Sequence, residues 1–184
     1  MPTSFKFILT GILFVVIGWF WGADDLRLMI SGRNSSGMAS ELGSMKVTEQ
    51  IDAMRALGTD PVRKLVTPRL YATVFMLFFL TIVADAVGMA GGALVSIALL
   101  NLNPTAYFHA SIRALRYADV VQGLTKPLFS GFIIATVGCY FGMTTKGGTQ
   151  GVGRSTTQAV VVASVFIIIV DFIVSRAMIG IFGR

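Results

Sequence analysis

The sequence predicts an all-α fold, a polytopic membrane helix bundle that carries one short cytoplasmic amphipathic helix. Of the 184 residues, 54% are apolar and 13% are charged, whereas a soluble domain carries about 25% charged residues. Apolar runs at about 71–102, 125–143 and 159–182 are long enough to cross a bilayer. We therefore predict a single membrane domain over residues 1–184, with these three spans and an N-terminal anchor over residues 1–27.

The charged and reactive residues exclude several classes of function. The net charge is +6, but most basic residues flank apolar runs, as is typical of cytoplasmic loops in membrane proteins, so we expect no nucleic-acid partner. Cys139 and His109 are the sole residues of their types. They leave no disulfide, no metal cluster and little for nucleophilic or acid–base chemistry. The chain is therefore not expected to be an enzyme, or to hold a metal or cofactor of its own.

An apolar run from Phe7 to Gly22 follows Lys6 near the N-terminus. A cleaved signal peptide and an uncleaved anchor both fit this pattern. Cleavage after Ala23 needs a small side chain at the position of Trp21, and a cluster of tryptophans is typical of the membrane interface. We favour the anchor.

Residues 28–44 mix apolar side chains with polar ones such as Arg33. Small residues recur four apart and so share one face of a helix; they are Gly32, Ser36, Ser40 and Ser44. A small face allows the backbones of two helices to approach closely. This segment is predicted to be a helix that packs against other helices rather than against lipid.

The segment 45–69 is the most polar stretch of the chain. Its apolar residues are spaced as one stripe of a helix; they are Val47, Ile51, Met54 and Leu57. Gly58 is suited to end that helix, and Asp60-Pro61 is typical of the cap and first residue of another. We predict a short amphipathic helix and then a second short helix that ends near Pro68.

The long run at 71–102 contains another four-spaced set of small residues, which we predict to lie at a helix–helix contact. The set is Ala84, Gly88, Gly92 and Ser96. Asp85 in this run and Asp171 in the last run are carboxylates inside apolar spans, where a charge costs at least about 2.5 kcal/mol. We expect both to face protein or water. A role in a lipid path and a structural hydrogen bond between helices both remain open for them.

The connections between the spans predict the topology. Asn103-Pro104 ends the first long span, and the polar connection that follows includes a candidate surface helix. The next span is expected to start one turn before Leu128, and residues 144–157 are expected to form a glycine-rich loop. Seven basic residues lie in segments 45–69 and 144–157, against three in the connection 103–127, so the two richer segments are predicted to be cytoplasmic.

Residues 148–155 have part of the pattern of a phosphate-binding loop. Two glycines with four residues between them are followed by a basic residue and Ser155, but Arg154 stands where lysine is required. No buried strand precedes the segment, and a membrane span follows it. We interpret it as a turn rather than an ATP site.

Several blocks of the sequence share one family signature. They are Gly32-Arg33, Gly37, Ala39, Glu41-Leu42-Gly43, Met45, Glu49-Gln50-Ile51-Asp52-Ala53-Met54, Asp60-Pro61, Pro68-Arg69, Gly91-Gly92, Lys126, residues 151–157 and Asp171-Phe172. Together they make the chain resemble the MlaE family of permeases over about residues 28–182.

The resemblance implies a function and a set of partners. Such a permease belongs to an ABC transporter that moves phospholipids between the two membranes of a cell envelope, and it lies in the inner membrane. Two permease copies pair, a cytoplasmic ATPase binds the ATP and magnesium, and a substrate-binding protein with an MCE domain lies on the opposite side. The polar helix near residues 47–57 corresponds to the coupling helix that docks on the ATPase. Its docking residues are predicted to be Glu41, Lys46, Glu49, Gln50, Asp52 and Arg55.

The N-terminal region departs from the family. Members have an interfacial helix and nearly two spans before the Gly-Arg motif, whereas about 27 residues precede Leu28 here. The chain is then shortened or incomplete, or its first span has been replaced. The alternative function is therefore a non-transporting membrane scaffold that still docks the ATPase, with a membrane-embedded enzyme as a third hypothesis.

Overall fold

The computed structural model describes residues 28–100, 103–115 and 117–182, and nearly all of them are helical. The elements are α1 at 28–47, α2 at Gln50–Ala56, a π-helical turn at Val62–Val66, α3 at Thr67–Leu100, α4 at Pro104–Ala114, α5 at Tyr117–Met143 and α6 at Gly148–Phe182. Within these ranges there is no β-strand, so the predicted all-α class is confirmed. The anchor predicted over residues 1–27 lies outside the described residues.

Three helices in the described ranges are long and apolar enough to cross a membrane, over Val62–Ala98, Asp119–Met143 and Gly148–Ile181. Their outward faces carry large apolar side chains that are more than half exposed, for example Phe75, Phe79 and Phe172. A bilayer accommodates this surface, since lipid is as apolar as the side chains. The prediction of a multi-pass membrane helix bundle is confirmed.

Helix α5 lies at the centre of the bundle and packs against both α3 and α6. Glycines make the closest approaches: Gly131 lies against Val74 of α3, and Gly138 and Gly142 lie against Ser35 and Leu42 of α1. The core lies between α1, α3, α5 and α6. It consists of Met38, Leu42, Leu77, Ile134, Ala135, Cys139 and Ile167. The glycines on α5 thus set its spacing from α1 and α3.

Helix α1 is the packed helix that the sequence predicted, but the predicted face is wrong by one residue. The fully buried positions include Ser31, Ser35, Ala39 and Leu42, whereas Ser44 is exposed. The serines tolerate burial because their hydroxyls donate to carbonyls of their own helix, Ser31 to Leu28 at 2.7 Å and Ser35 to Ser31 at 2.5 Å. Ser35 then offers a small surface to Gly138.

The single amphipathic stripe predicted over residues 47–57 is wrong. Helix α1 continues through Val47, and the chain then turns at Glu49, whose φ of 59° is left-handed. Helix α2 is only seven residues long; Ile51 is fully buried on it, whereas Leu57, just beyond it, is 82% exposed. The apolar residues keep helical spacing across the turn at Glu49, so their spacing did not reveal that the helix is interrupted there.

The second short helix is also continuous with the first long span. Asp60 caps its start by accepting a hydrogen bond from the Val62 amide at 2.9 Å, as predicted, but the helix does not end at Pro68. A π-helical turn precedes the proline, and Thr67 donates both its amide and its hydroxyl to the Val62 carbonyl. Such wide turns are a known way for a helix to absorb a local misfit.

Two further helix boundaries differ from the prediction, because α5 and α6 both begin earlier than the sequence pattern indicates. Helix α5 begins at Tyr117, about two turns earlier than expected, and Pro127 lies inside it, fully buried in the bundle. Helix α6 begins at Gly148, so most of the predicted glycine-rich loop is helical. The break is confined to residues 144–147 and depends on Gly147 and Gly148, whose φ angles are 92° and 69°.

Helix α4 is the predicted surface helix, and it folds back on α3. Asn103 caps its start by accepting a hydrogen bond from the Thr105 amide at 3.1 Å. The Tyr107 hydroxyl donates to the Met89 carbonyl at 3.3 Å and lies beside Gly92. The contact places α4 at the end of the bundle opposite α2.

We expect Gly142→Ala to destabilise the bundle. A methyl group there would lie 2.6 Å from Leu42 Cβ and 3.2 Å from two carbonyl oxygens of α1, and overpacking of this kind costs about 1–3 kcal/mol. Gly153→Ala is the control, because a methyl group at Gly153 meets no atom within 4 Å and alanine favours a helix by up to about 1 kcal/mol. Thermal unfolding in detergent should separate the variants; equal midpoints would contradict the packing.

Candidate functional site

The end of the bundle that carries the turn between α1 and α2 gathers a cluster of charges. Lys46 Nζ, in the last turn of α1, lies 2.7 Å from Asp52 Oδ2 in the first turn of α2. Arg55 Nη1 lies 3.4 Å from the other oxygen of Asp52. The hydrogen bond from Lys46, opposed by some desolvation, holds the pKa of Asp52 below its ordinary value. The carboxylate is therefore ionised at neutral pH and joins the two helices across the turn.

Glu49 and Gln50 lie at the tip of this turn and are exposed. Glu49 has a left-handed backbone conformation, and this conformation is uncommon for a residue other than glycine. The Glu49 side chain makes no capping hydrogen bond to α2. The ion pair between Lys46 and Asp52 closes the turn and so supports this conformation. The two side chains at the tip are left to project away from the bundle.

Of the six predicted docking residues, the structure brings five together at this charged turn, which we call the docking surface after that prediction: Lys46, Glu49, Gln50, Asp52 and Arg55. Glu41 lies elsewhere, because its Oε2 accepts from Arg69 Nη2 of α3 at 2.9 Å. The turn at 144–147 reaches the same end of the bundle, since Gly43 lies against Thr145. The two segments predicted to share one side of the membrane therefore lie at one end of the molecule.

A cleft of about 480 Å³ opens between α1 and α3 near this end. Its lining comprises Arg33, Asn34, Gly37, Met38 and Glu41 from α1, and Arg69, Ala72, Thr73 and Met76 from α3. Arg69 Nη1 is buried there and has no hydrogen-bond partner in the described part of the chain. Sequence reasoning missed this site because Arg33 and Arg69 are far apart in the chain and no spacing rule connects them.

The carboxylate of Asp171 pairs with a buried cation inside the bundle. Its oxygens lie 2.9 Å and 3.1 Å from Lys126 Nζ of α5, and the side chains of Lys126 and Asp171 are only 10% and 28% exposed. Gln122 donates to Ser175 one turn away at 3.3 Å. Asp171 thus faces protein and joins α5 to α6. Asp85 lies on a different helix, α3, and α3 does not contact α6.

The four-spaced small residues of α3 have different surroundings. Ser96 is buried, and Gly92 lies under the Tyr107 hydroxyl of α4. Ala84 is half-buried, and Gly88 is exposed with no atom near the place of its missing side chain. The packing role of this stripe stays a prediction, and at Gly88 a contact would require a partner other than the described residues.

The other candidate sites have less support in the structure. Residues 148–155 lie in the first two turns of α6, so they do not form a loop that would wrap a phosphate. Over the described ranges, no three potential metal ligands among His, Cys, Asp and Glu come together.

Comparison with known proteins assigns the chain to a family. The family Permease MlaE matches residues 26–177, which include α1 to α5 and most of α6. The chain belongs to the MlaE permease family. This confirms the resemblance seen in its sequence motifs and accounts for the apolar surface as that of a member of a membrane-permease family.

Similar proteins come from bacteria and from a plant chloroplast. A probable ABC transporter permease of Rickettsia typhi is 41% identical over 151 residues, covering 82% of this chain and 58% of the relative. A probable ABC transporter permease of Synechocystis is 45% identical, covering 82% and 57%. The chloroplastic protein Trigalactosyldiacylglycerol 1 of Arabidopsis thaliana is 44% identical, covering 80% and 42%. The MlaE-family chain therefore spans about half the length of the curated relatives it matches.

We expect Asp171→Leu to destabilise the permease more than removal of both partners. The single change leaves the Lys126 ammonium buried without its carboxylate, and breaking a buried pair in this way costs about 3–5 kcal/mol. The double variant Lys126→Met with Asp171→Leu removes both members of this pair, so neither is left buried alone, and it should unfold close to wild type. Thermal unfolding in detergent tests both, and a double variant as unstable as the single one would contradict a predominantly pairing role.

Proposed function

We propose that this MlaE-family chain is the permease subunit of an ABC transporter that moves phospholipids between the membranes of a cell envelope. A separate ATPase drives the movement and binds the ATP and magnesium. The observation that carries the proposal is the docking surface: a charged, exposed turn that projects from one end of an otherwise apolar bundle. Such a surface suits a soluble partner, because charges are recognised by complementary charges.

The location and the other partners follow from the same proposal. The docking surface faces the cytoplasm, since segments 45–69 and 144–157 at its end of the bundle carry seven basic residues against three in the connection 103–127, and the membrane is the inner one. A protein with an MCE domain lies at the opposite end, near α4. A second copy of the permease packs on an apolar face of the bundle, and the open glycine at Gly88 is a suitable place for close approach.

Phospholipid as the substrate has two supports. The cleft between α1 and α3 combines two arginines with methionines, which suits a molecule with an anionic head and an apolar tail. The plant relative is named after trigalactosyldiacylglycerol, a glycerolipid without phosphate, so its name supports the lipid class and not the phosphate headgroup. Transport separates this function from the scaffold alternative, since a scaffold retains the ATPase but moves no lipid.

We expect the ATPase to recognise the docking surface by its charges as well as by its shape. Asp52→Lys breaks both ion pairs of the turn, whereas the charge swap Lys46→Asp with Asp52→Lys restores the pair with its polarity reversed. If the ATPase reads the charges, both variants should weaken co-purification, by about 2 kcal/mol or roughly thirtyfold. ATP-dependent transfer of a labelled phospholipid should fall in parallel.

Arg113→Glu is the matched control, because Arg113 is exposed in the last turn of α4 at the opposite end of the bundle. It should leave ATPase association at the wild-type level. Full recovery of association in the charge swap would show that only the shape of the turn matters, and full association of Asp52→Lys would remove the docking assignment.

A further inference from the structure

The turn between α5 and α6 is fixed beside the docking surface. Thr145 is buried, and its Oγ1 would lie 2.9 Å from a methyl group placed on Gly43 of α1. The same hydroxyl donates to the Phe141 carbonyl at 2.9 Å, which anchors the turn to the end of α5. Gly43 precedes Lys46 by about 4.5 Å along α1. The turn therefore lies about one helical turn from the ion pair that closes the docking surface.

Glycines at 147–151 shape this turn. Gly147 and Gly148 have left-handed φ angles of 92° and 69°, a conformation that glycine adopts without steric cost. A methyl group on Gly151 would overlap the carbonyl oxygen of Lys146, so the chain folds back closely onto the first turn of α6. The fold-back leaves the Lys146 side chain exposed at the end of the bundle.

The turn and the start of α6 present positive charges that have no partner. Lys146 and Arg154 are both exposed, and neither has an ion pair within the described part of the chain. Gln150 is exposed four residues before Arg154 and so shares its face of α6. We call Lys146, Gln150 and Arg154 the basic turn.

The neighbouring docking surface has no such excess of charge. Its two cations, Lys46 and Arg55, both pair with Asp52, and Glu49 adds a second carboxylate. Two positive and two negative groups cancel. The attraction for an acidic partner would therefore come from the basic turn, since complementary charge is what selects a partner by sign and speeds its association.

Two features favour a protein over the membrane surface as the partner of the basic turn. Segments that bind a membrane surface combine basic side chains with large apolar ones that enter the lipid, whereas the exposed residues at 144 and 146–150 are threonines, glycines, a lysine and a glutamine. The basic turn also continues the docking surface, because Gly43 and Thr145 are in contact. A protein that covers one therefore reaches the other.

We propose that the basic turn is a second docking element, which binds an acidic patch on the same ATPase subunit that binds the docking surface. The inference rests on the proposed function, since it requires the ATPase as a partner. It assigns a role to Lys146 and Arg154, which lie outside the six docking residues predicted from the sequence.

The experiment titrates the full chain, purified in a neutral detergent, with the purified ATPase subunit of the same transporter over a range of salt concentrations. Lys146→Glu with Arg154→Glu reverses the charge of the basic turn. We expect association about tenfold or more weaker at low salt. The loss should shrink as salt is raised, because salt screens exposed charges.

Arg176→Glu is the matched control, because Arg176 is exposed on the same helix about 33 Å beyond Arg154. It should bind the ATPase as the wild type does. Thermal unfolding in detergent checks that each variant is folded. If charge reversal prevents folding, Lys146→Gln with Arg154→Gln takes its place, with an expected loss of about threefold at low salt.

The possible contrary results are distinct from one another. Full association of the folded double variant at low salt, beside a loss in Asp52→Lys, would overturn this inference and leave the proposed function intact. A loss of equal size at every salt concentration would give the turn a structural role and overturn its recognition by charge. A loss seen only in nanodiscs of anionic phosphatidylglycerol, and not in neutral detergent, would assign the basic turn to the membrane surface instead. A wild-type chain that binds no ATPase would overturn both this inference and the proposed function.

Discussion

The close approach of α1, α3 and α6 to α5 is the interaction on which the rest of the structure depends. In a bilayer, burial of apolar side chains does little to bring helices together, because lipid is equally apolar; packing and polar contacts must do so. Gly131, Gly138 and Gly142 let neighbouring backbones come near enough for dense contact. That packing places the end of α1 beside the start of α3, and the ion pair between Glu41 and Arg69 follows from it.

The apolar bilayer also determines where charged side chains lie. A charged group in the low-dielectric interior must be paired or must reach the membrane surface. Lys126 and Asp171 satisfy this by pairing between α5 and α6, and the cluster around Asp52 satisfies it by lying at one end of the bundle. The bundle thus has an exposed cluster of charges at one end and a buried ion pair between α5 and α6.

Much of this organisation was predictable from the sequence, because membrane spans have strong compositional patterns. The all-α class, the three long spans, the packed helix at α1 and the surface helix at α4 were all predicted. Helix boundaries were not: Pro68 and Pro127 lie inside helices because a π-helical turn and burial in the bundle override the local preference of proline. Helical periodicity likewise did not reveal the break at Glu49. The cleft is formed by residues of α1 and α3 that are distant in the chain. The local spacing of residues does not predict which distant residues come into contact.

The central claim is that the charged end of the bundle is the cytoplasmic, partner-binding end. Its most direct test is cysteine accessibility in a Cys139→Ala background, which removes the buried native thiol. Ala56→Cys reports on the end of α2 and Ala110→Cys on α4; both positions are exposed. A membrane-impermeant maleimide should label Ala56→Cys only in inverted vesicles and Ala110→Cys only in right-side-out vesicles. The reverse pattern would place the charged end outside the cytoplasm and contradict the account.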